Sequence, residues 1–214
     1  MDFTLIETLR WEPGQGFIRL DQHLRRLSRS ADALGFRQPI KPEAALKEVV
    51  HGDTPLRVRL AMNFRGKLEA AAVPFESVGE NTIWRLRIAQ KTRLNSEDTL
   101  YRHKTSRRDP YDAARAEFST EEADEVLLLN ERGEICEGTF TNVFVQGLDG
   151  MLITPPLTSG LIPGILRAEL IRDRKARADL LKPESLNGRA IFVGNSLRGL
   201  IRAELVEEQH RAVA

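Results

Sequence analysis

The apolar residues of this chain change period several times, and that pattern restricts its fold more than its composition does. Leu56, Val58, Leu60 and Met62 alternate with polar neighbours, the two-residue period of a half-buried strand. Leu20, Leu24, Leu27, Ala31 and Leu34 recur instead at steps of three and four, the stripe of an amphipathic helix, with Asp21 as its expected N-cap and Gly35 as its stop. Phe3 to Trp11 and Gly16 to Leu20 flank the turn signal Glu12-Pro13-Gly14-Gln15, and Lys67 to Val73 returns after Asn63-Phe64-Arg65-Gly66. Trp84, Leu86 and Ile88 alternate as one more strand. Residues 90 to 103 are polar without a period and read as a linker.

Tyr111 to Phe118 reads as a short helix. A meander follows: Val126 to Leu129, Ile135 to Val145, and Met151 to Thr154. Pro163-Gly164 then opens a helix through Ile165, Leu166, Leu170 and Ile171, and Ile191 to Val193 is a last apolar strand. The mixture predicts an α+β fold in two lobes, residues 1–94 and 95–214.

Composition removes several function classes. Lys+Arg is 32 against 31 for Asp+Glu, a net charge of +1, which argues against a basic nucleic-acid binder. No apolar run approaches the roughly 18 residues of a membrane span. The start, Met1-Asp2-Phe3-Thr4, lacks a signal-peptide layout, and a single cysteine fits a reducing compartment, so a cytoplasmic location is expected. Cys136 falls in an expected strand, where a small buried hydrophobe is the simpler reading than a nucleophile. The histidines, His23, His51, His103 and His210, lack metal-ligand spacing, and no metal site is expected. Neither a Gly-x-Ser-x-Gly elbow nor a Walker phosphate loop is present.

Four features remain that could carry chemistry. Gly160-Leu161-Ile162-Pro163-Gly164-Ile165-Leu166 brings flexible backbone to a helix start, where unpaired N–H groups attract an anion; an ordinary strand-to-helix turn would look the same. Arg26 shares a helix face with His23, though an arginine so placed is, by itself, far more often a solvated surface charge than a ligand. Lys104 lies in the basic run Arg102-His103-Lys104-Thr105-Ser106-Arg107-Arg108, whose positive charges favour a neutral amine, though such a run is usually a surface loop. Glu137, inside an apolar meander, needs a cationic partner such as an arginine or a protonated ring nitrogen.

Taken in order, these pieces resemble the class IV pyridoxal-phosphate enzymes, which include branched-chain and D-amino-acid aminotransferases and 4-amino-4-deoxychorismate lyase. The resemblance runs through Leu5-Ile6-Glu7-Thr8, His23-Leu24-Arg25-Arg26-Leu27, His103-Lys104-Thr105 and Tyr111-Asp112. It continues through Asp124 to Asn130, Gly133 to Thr139 and Thr141 to Phe144. It closes with Thr154-Pro155-Pro156, Gly160 to Ile165 and Asn195-Ser196-Leu197-Arg198-Gly199. It implies a small N-terminal lobe, a larger C-terminal pseudo-barrel lobe, a homodimer, and pyridoxal 5'-phosphate between the lobes.

By that resemblance Lys104 holds the cofactor covalently and shuttles protons, and Glu137 pairs with the pyridine nitrogen. Arg26, the backbone of Ile165 and Leu166, and the Asn195-Ser196 turn bind the phosphate. Arg107 and Arg108 are expected on the substrate side, suiting a dicarboxylate. Leu166 stands where the family often has threonine, so only its backbone donor remains. The family's usual N-terminal strand and Gly-Asp-Gly turn are not found ahead of Glu7-Thr8. The features look most like the lyase branch, with release of pyruvate to give 4-aminobenzoate in folate synthesis; an aminotransferase and a catalytically silent homologue are the alternatives. Of seven lysines, only Lys104 matches the cofactor-lysine motif.

Overall fold

The computed structural model describes residues 2–206. In chain order its strands and helices are β1 (Leu5–Glu12), β2 (Gly16–Phe17), α1 (Leu20–Leu34), α2 (Pro42–Lys47), β3 (Leu56–Met62) and β4 (Leu68–Pro74). Then come β5 (Ile83–Leu94), α3 (Asp109–Arg115), β6 (Glu125–Asn130), β7 (Ile135–Gly138), β8 (Asn142–Gln146) and β9 (Leu152–Thr154). The last are α4 (Ile165–Arg172), β10 (Ala176–Ala178), β11 (Ile191–Asn195) and β12 (Gly199–Leu205).

The first four strands form one antiparallel sheet in the order β2-β1-β3-β4. The alternation read in β3 is realised: Leu56, Val58 and Leu60 are buried while Arg57 and Arg59 are exposed. The apolar stripe of α1 packs Leu27 and Ala31 onto that inner face, with Leu5, Leu9 and Val58 in the same core. Helix α1 is capped two residues earlier than expected. Its N-cap is Arg19 in the left-handed region at φ 58°, because Ile18 N–H is tied back to the Arg10 carbonyl at 2.8 Å. Asp21 therefore lies within the first turn, where a carboxylate still favours the helix dipole. Gly35, at φ 70°, ends the helix as expected.

The remaining strands form a mixed sheet ordered β10-β9-β8-β11-β12-β5-β6-β7. The meander strand expected from Ile135 to Val145 is interrupted at 139–141. There the chain turns from the edge strand β7 to the interior strand β8, curling the sheet back on itself. Glu125, fully buried, holds that turn by accepting from Thr139 N–H, Thr139 Oγ1 and Thr141 Oγ1 at 2.6–2.9 Å.

Strand β5 changes the reading of the polar stretch after residue 90. Ile83–Leu94 is one strand that pairs in parallel with β12 and β6, so the sheets change over in the polar connection 75–82 rather than near residue 95. The stretch looks unstructured in sequence because β5 bulges between Ile88 and Arg93. There the N–H groups of Lys91 and Thr92 go to the Glu117 carboxylate at 3.1 and 2.9 Å instead of to a strand.

The two sheets are joined at β1. Ile6 N–H donates to the Lys104 carbonyl at 2.8 Å, Ser106 N–H donates to the Thr4 carbonyl at 2.9 Å, and Leu5 bridges Thr105. No helix among the described residues is long and apolar enough to cross a membrane.

Leu27 is 1% exposed, so Leu27→Ala should cost about 2–5 kcal/mol in urea unfolding, since a cavity is left at the helix–sheet contact. A change under about 0.5 kcal/mol would show that α1 does not anchor this core.

Candidate active site

The junction of the sheets encloses a cavity of about 320 Å³. The smaller sheet and its helix supply Thr8, His23, Arg26 and Arg57; the larger sheet and its loops supply the rest, Lys104 and Glu137 among them. Lys104 is placed by the backbone pairing with β1 just described. Its Nζ makes no hydrogen bond or ion pair with the described residues. Burial, with Arg26 and Arg108 nearby, lowers its pKa to about 8, against the opposing pull of Glu7 and Glu137. Burial thus outweighs the flanking charges on which the basic run alone would suggest relying.

Glu137, on β7, is 4% exposed. Its Oε1 accepts from the Tyr111 hydroxyl at 2.8 Å and from Ile162 N–H at 3.0 Å; its Oε2 accepts from Asn142 Nδ2 at 3.2 Å. Burial nevertheless pushes its pKa up to about 7. No cation of the described residues forms an ion pair with it; Lys104 and Arg108 act on it only through space. Asn142 is locked in turn by Gly164, where an added Cβ would lie 1.8 Å from Asn142 Oδ1.

Arg26 is committed to a second buried carboxylate. Glu7, 1% exposed, accepts from Arg26 Nε at 2.8 Å and Nη2 at 2.6 Å, and from His23 Nδ1 at 2.7 Å. Burial opposes ionisation of Glu7, but Arg26 and His23 outweigh it and hold its pKa at about 2. An ionised carboxylate only accepts, so Nδ1 is the donor of the pair. The other ring nitrogen, Nε2, meets Ser196 Oγ, and with a neutral ring it accepts the serine proton. Arg26 Nη1 reaches only the Pro163 carbonyl, at 3.3 Å.

The residues expected on the phosphate side divide. Gly164 caps α4 without a side-chain bond, so the first N–H groups of the helix, those of Ile165 and Leu166, have no partner among the described residues. Ile165 lines the cavity, whereas the Leu166 side chain is buried against Phe144 and Leu170. Asn195 also lines the cavity, but its side chain is spent on the turn. Oδ1 accepts from Leu197 and Arg198 N–H at 3.1 and 3.0 Å, and Nδ2 donates to the Phe140 carbonyl at 3.1 Å.

On the other side, Arg108 lines the cavity, stacked 4.8 Å from the Tyr111 ring centre, while Arg107 is exposed and outside it. Arg57 and Arg198 join Arg108 there. Burial and the proximity of Arg57 depress the pKa of Arg198, which faces the Phe140 ring at 5.3 Å. Among the described residues no group of His, Cys, Asp and Glu could hold a metal; His210 lies outside them. Cys136 is fully buried on β7, and burial pushes its thiol well up, as a packing residue requires.

A lysine amine, a buried carboxylate and an anion-ready helix start in one cavity agree with the family comparison, in which the model for amino-transferase class IV matches residues 4–206. The chain belongs to the class IV aminotransferase family. A solved Mesorhizobium loti protein described as a "putative amino-acid aminotransferase" is 50% identical, with TM-score 0.93 over 96% of this chain and all of that one. A Schizosaccharomyces pombe protein named "putative aminodeoxychorismate lyase" is 29% identical over 97% of this chain and 92% of its own length. The T.th. branched-chain amino acid aminotransferase, solved with pyridoxamine 5'-phosphate, shares the fold at 23% identity and TM-score 0.80, over 94% of this chain and 76% of its own.

Sequence reasoning missed Tyr111, Arg57 and Arg198 as residues lining this cavity, and Glu7 as the carboxylate behind it that holds Arg26 and His23. Glu7 had a readable signal: it lies between Leu5 and Leu9 on the inward face of a strand, where a carboxylate must be paired. Arg57 and Arg198 carried none, because alternating arginines on a strand and an arginine after a turn are common at surfaces.

The Glu7 pair predicts a pH dependence. A carboxyl whose pKa falls from 4.5 to about 2 on folding adds stability above pH 4.5 and loses it as pH falls toward 2. Glu7→Gln should therefore be less stable than the parent by about 3–5 kcal/mol at neutral pH, with the gap narrowing across that window. Urea midpoints measured from pH 7 downward test this; a constant gap would refute the ion pair.

Proposed function

We propose that this protein is a pyridoxal 5'-phosphate-dependent lyase that takes 4-amino-4-deoxychorismate to 4-aminobenzoate and pyruvate. The observation that carries the cofactor is that three unmet needs open into one cavity: a lysine amine without a partner, a carboxylate without a cation, and unpaired N–H groups at a helix start. The cavity volume, about 320 Å³, is within the range of small-molecule sites. Lys104 would hold the cofactor, Glu137 would face its ring nitrogen, and Arg26, Ser196 and the α4 backbone would take its phosphate. When bound, the cofactor supplies an electron sink for a carbanion beside the substrate nitrogen.

The chain's own residues then have defined tasks. Lys104 Nζ, neutral in a large fraction near pH 8, accepts and returns a proton at the substrate carbon. Tyr111 and Asn142 keep the Glu137 carboxylate aimed into the cavity. His23, oriented by its Nδ1 contact with Glu7, meets the Ser196 hydroxyl through Nε2 and so positions it.

The lyase reading is supported by Arg57, Arg108 and Arg198, three cations on the substrate side, which suit a substrate with two carboxylates better than a branched-chain amino acid with one. The name of the S. pombe relative, which aligns over nearly its whole length, points the same way. The 50% identical M. loti protein favours an aminotransferase as the second reading, by its description.

Adding pyridoxal phosphate to the purified protein should produce a visible absorption band that Lys104→Ala abolishes. Pyruvate should then be released from aminodeoxychorismate with no keto acid present. A strict need for a keto acid would establish the aminotransferase instead, and a colourless, inert protein would establish a silent homologue. Arg57→Ala with Arg198→Ala should raise KM for the dicarboxylate by about tenfold or more while the absorption band persists, since two charge-assisted contacts are lost.

A further inference from the structure

A second concavity of about 300 Å³ lies behind Arg26, between α1 and α4. Its walls follow from helical spacing. Gln22, Arg25, Arg26, Arg29 and Ser30 stand at i, i+3, i+4, i+7 and i+8 of α1, one continuous face. Ile165, Ala168 and Arg172 stand at i, i+3 and i+7 of α4 and face them. Arg102 and His103 close one end. Five arginines thus converge on one groove, and no acidic residue lines it.

The charges are largely unanswered. Arg25, Arg29 and Arg102 form no ion pair or hydrogen bond with the described residues, and Arg172 has only the exposed Asp173 beside it. Glu169, the nearest acid on α4, is taken by Arg19 at 2.6 Å. His103, whose Nδ1 meets Ser30 Oγ at 3.0 Å, is held toward its neutral form by burial and by Arg102, so it offers the arginines no counter-charge in either form and adds little positive charge of its own. In a chain with 32 basic and 31 acidic residues, this local excess is not a consequence of composition. Like charges gathered without counter-ions repel, and an anion that bridges them removes that repulsion.

We propose that this groove is a binding site for a small organic polyanion carrying at least two phosphate or carboxylate groups, separate from the cavity that holds Lys104. Guanidinium groups on opposite walls pair with oxyanions in a planar, two-point manner, which favours a ligand with two anionic ends. Pro163, Ile165 and Ala168 supply an apolar floor that suits a carbon skeleton between those ends. Arg26 lines both concavities, so a ligand here would lie across one guanidinium from the main cavity.

The test is calorimetric titration of the full chain, saturated with pyridoxal phosphate so that the main cavity is filled. Citrate and pyrophosphate are the probes, at constant ionic strength. One saturable site with Kd below about 1 mM is expected, weakened about tenfold or more in Arg25→Ala/Arg29→Ala. That variant touches no group of the main cavity, so its absorption with pyridoxal phosphate should match the parent's, which also reports that it is folded. Absence of saturable binding would overturn the proposal, as would binding that the double variant leaves unchanged. If the protein takes up no pyridoxal phosphate, the same titration on the unloaded chain still decides the groove, while the cofactor assignment alone fails. Citrate binding without pyrophosphate binding would identify carboxylates as the ligand groups, and the reverse would identify phosphates.

Discussion

The geometry of the cavity depends on a charge that water cannot reach. Glu7 is almost wholly buried on β1, and an isolated carboxylate there would be protonated. It stays ionised because Arg26 approaches it with two N–H groups and His23 with a third. Those two residues come from α1, and the imidazole continues to Ser196 in the turn between β11 and β12 of the other sheet. One carboxylate therefore joins the smaller sheet, its helix and the larger sheet. Removing Glu7 leaves both Arg26 and His23 without the carboxylate they share, which costs more than the intact cluster contributes.

That cluster also determines what the rest of the cavity can do. By consuming one positive charge, Glu7 keeps Arg26 oriented while leaving Arg57, Arg108, Arg198 and Lys104 around the same space. Lys104 is the member that responds, because a lysine can shed its proton and an arginine cannot. The excess of fixed guanidinium charge has two effects: it attracts anionic ligands and it favours a neutral amine. An anion that binds beside Arg26 would weaken the second effect, so anion binding and the protonation of Lys104 are coupled through the field of the cavity.

The α+β class and most of the elements were legible because burial imposes a period on each. The alternation of β3 and the stripe of α1 are direct consequences of one-sided packing. The order of strands in the larger sheet was not legible, since β5 finds its neighbours β12 and β6 across long stretches of chain. Its bulge hid the strand further, because the Glu117 carboxylate takes over backbone donors that a period cannot report. Within the site, Lys104 and Glu137 were legible as odd charges in their contexts, and both open into one cavity. Arg107 reads like Arg108 in sequence but is exposed outside the cavity, a distinction made only by where the chain turns into α3.

Helix α1 shows how one period assigns several tasks at once. Leu27 and Ala31 face the smaller sheet, and His23 on nearly the same line turns a ring into the Glu7 cluster. Arg25 and Arg29, about half a turn away, line the groove beside α4. Arg26 falls on the border, with its guanidinium held by Glu7 on one side and lining the groove on the other. A residue at that border cannot move toward either concavity without loosening the carboxylate that fixes it. The helix therefore acts as a rigid partition between two cation-lined spaces, and its apolar packing keeps the two in a fixed relation.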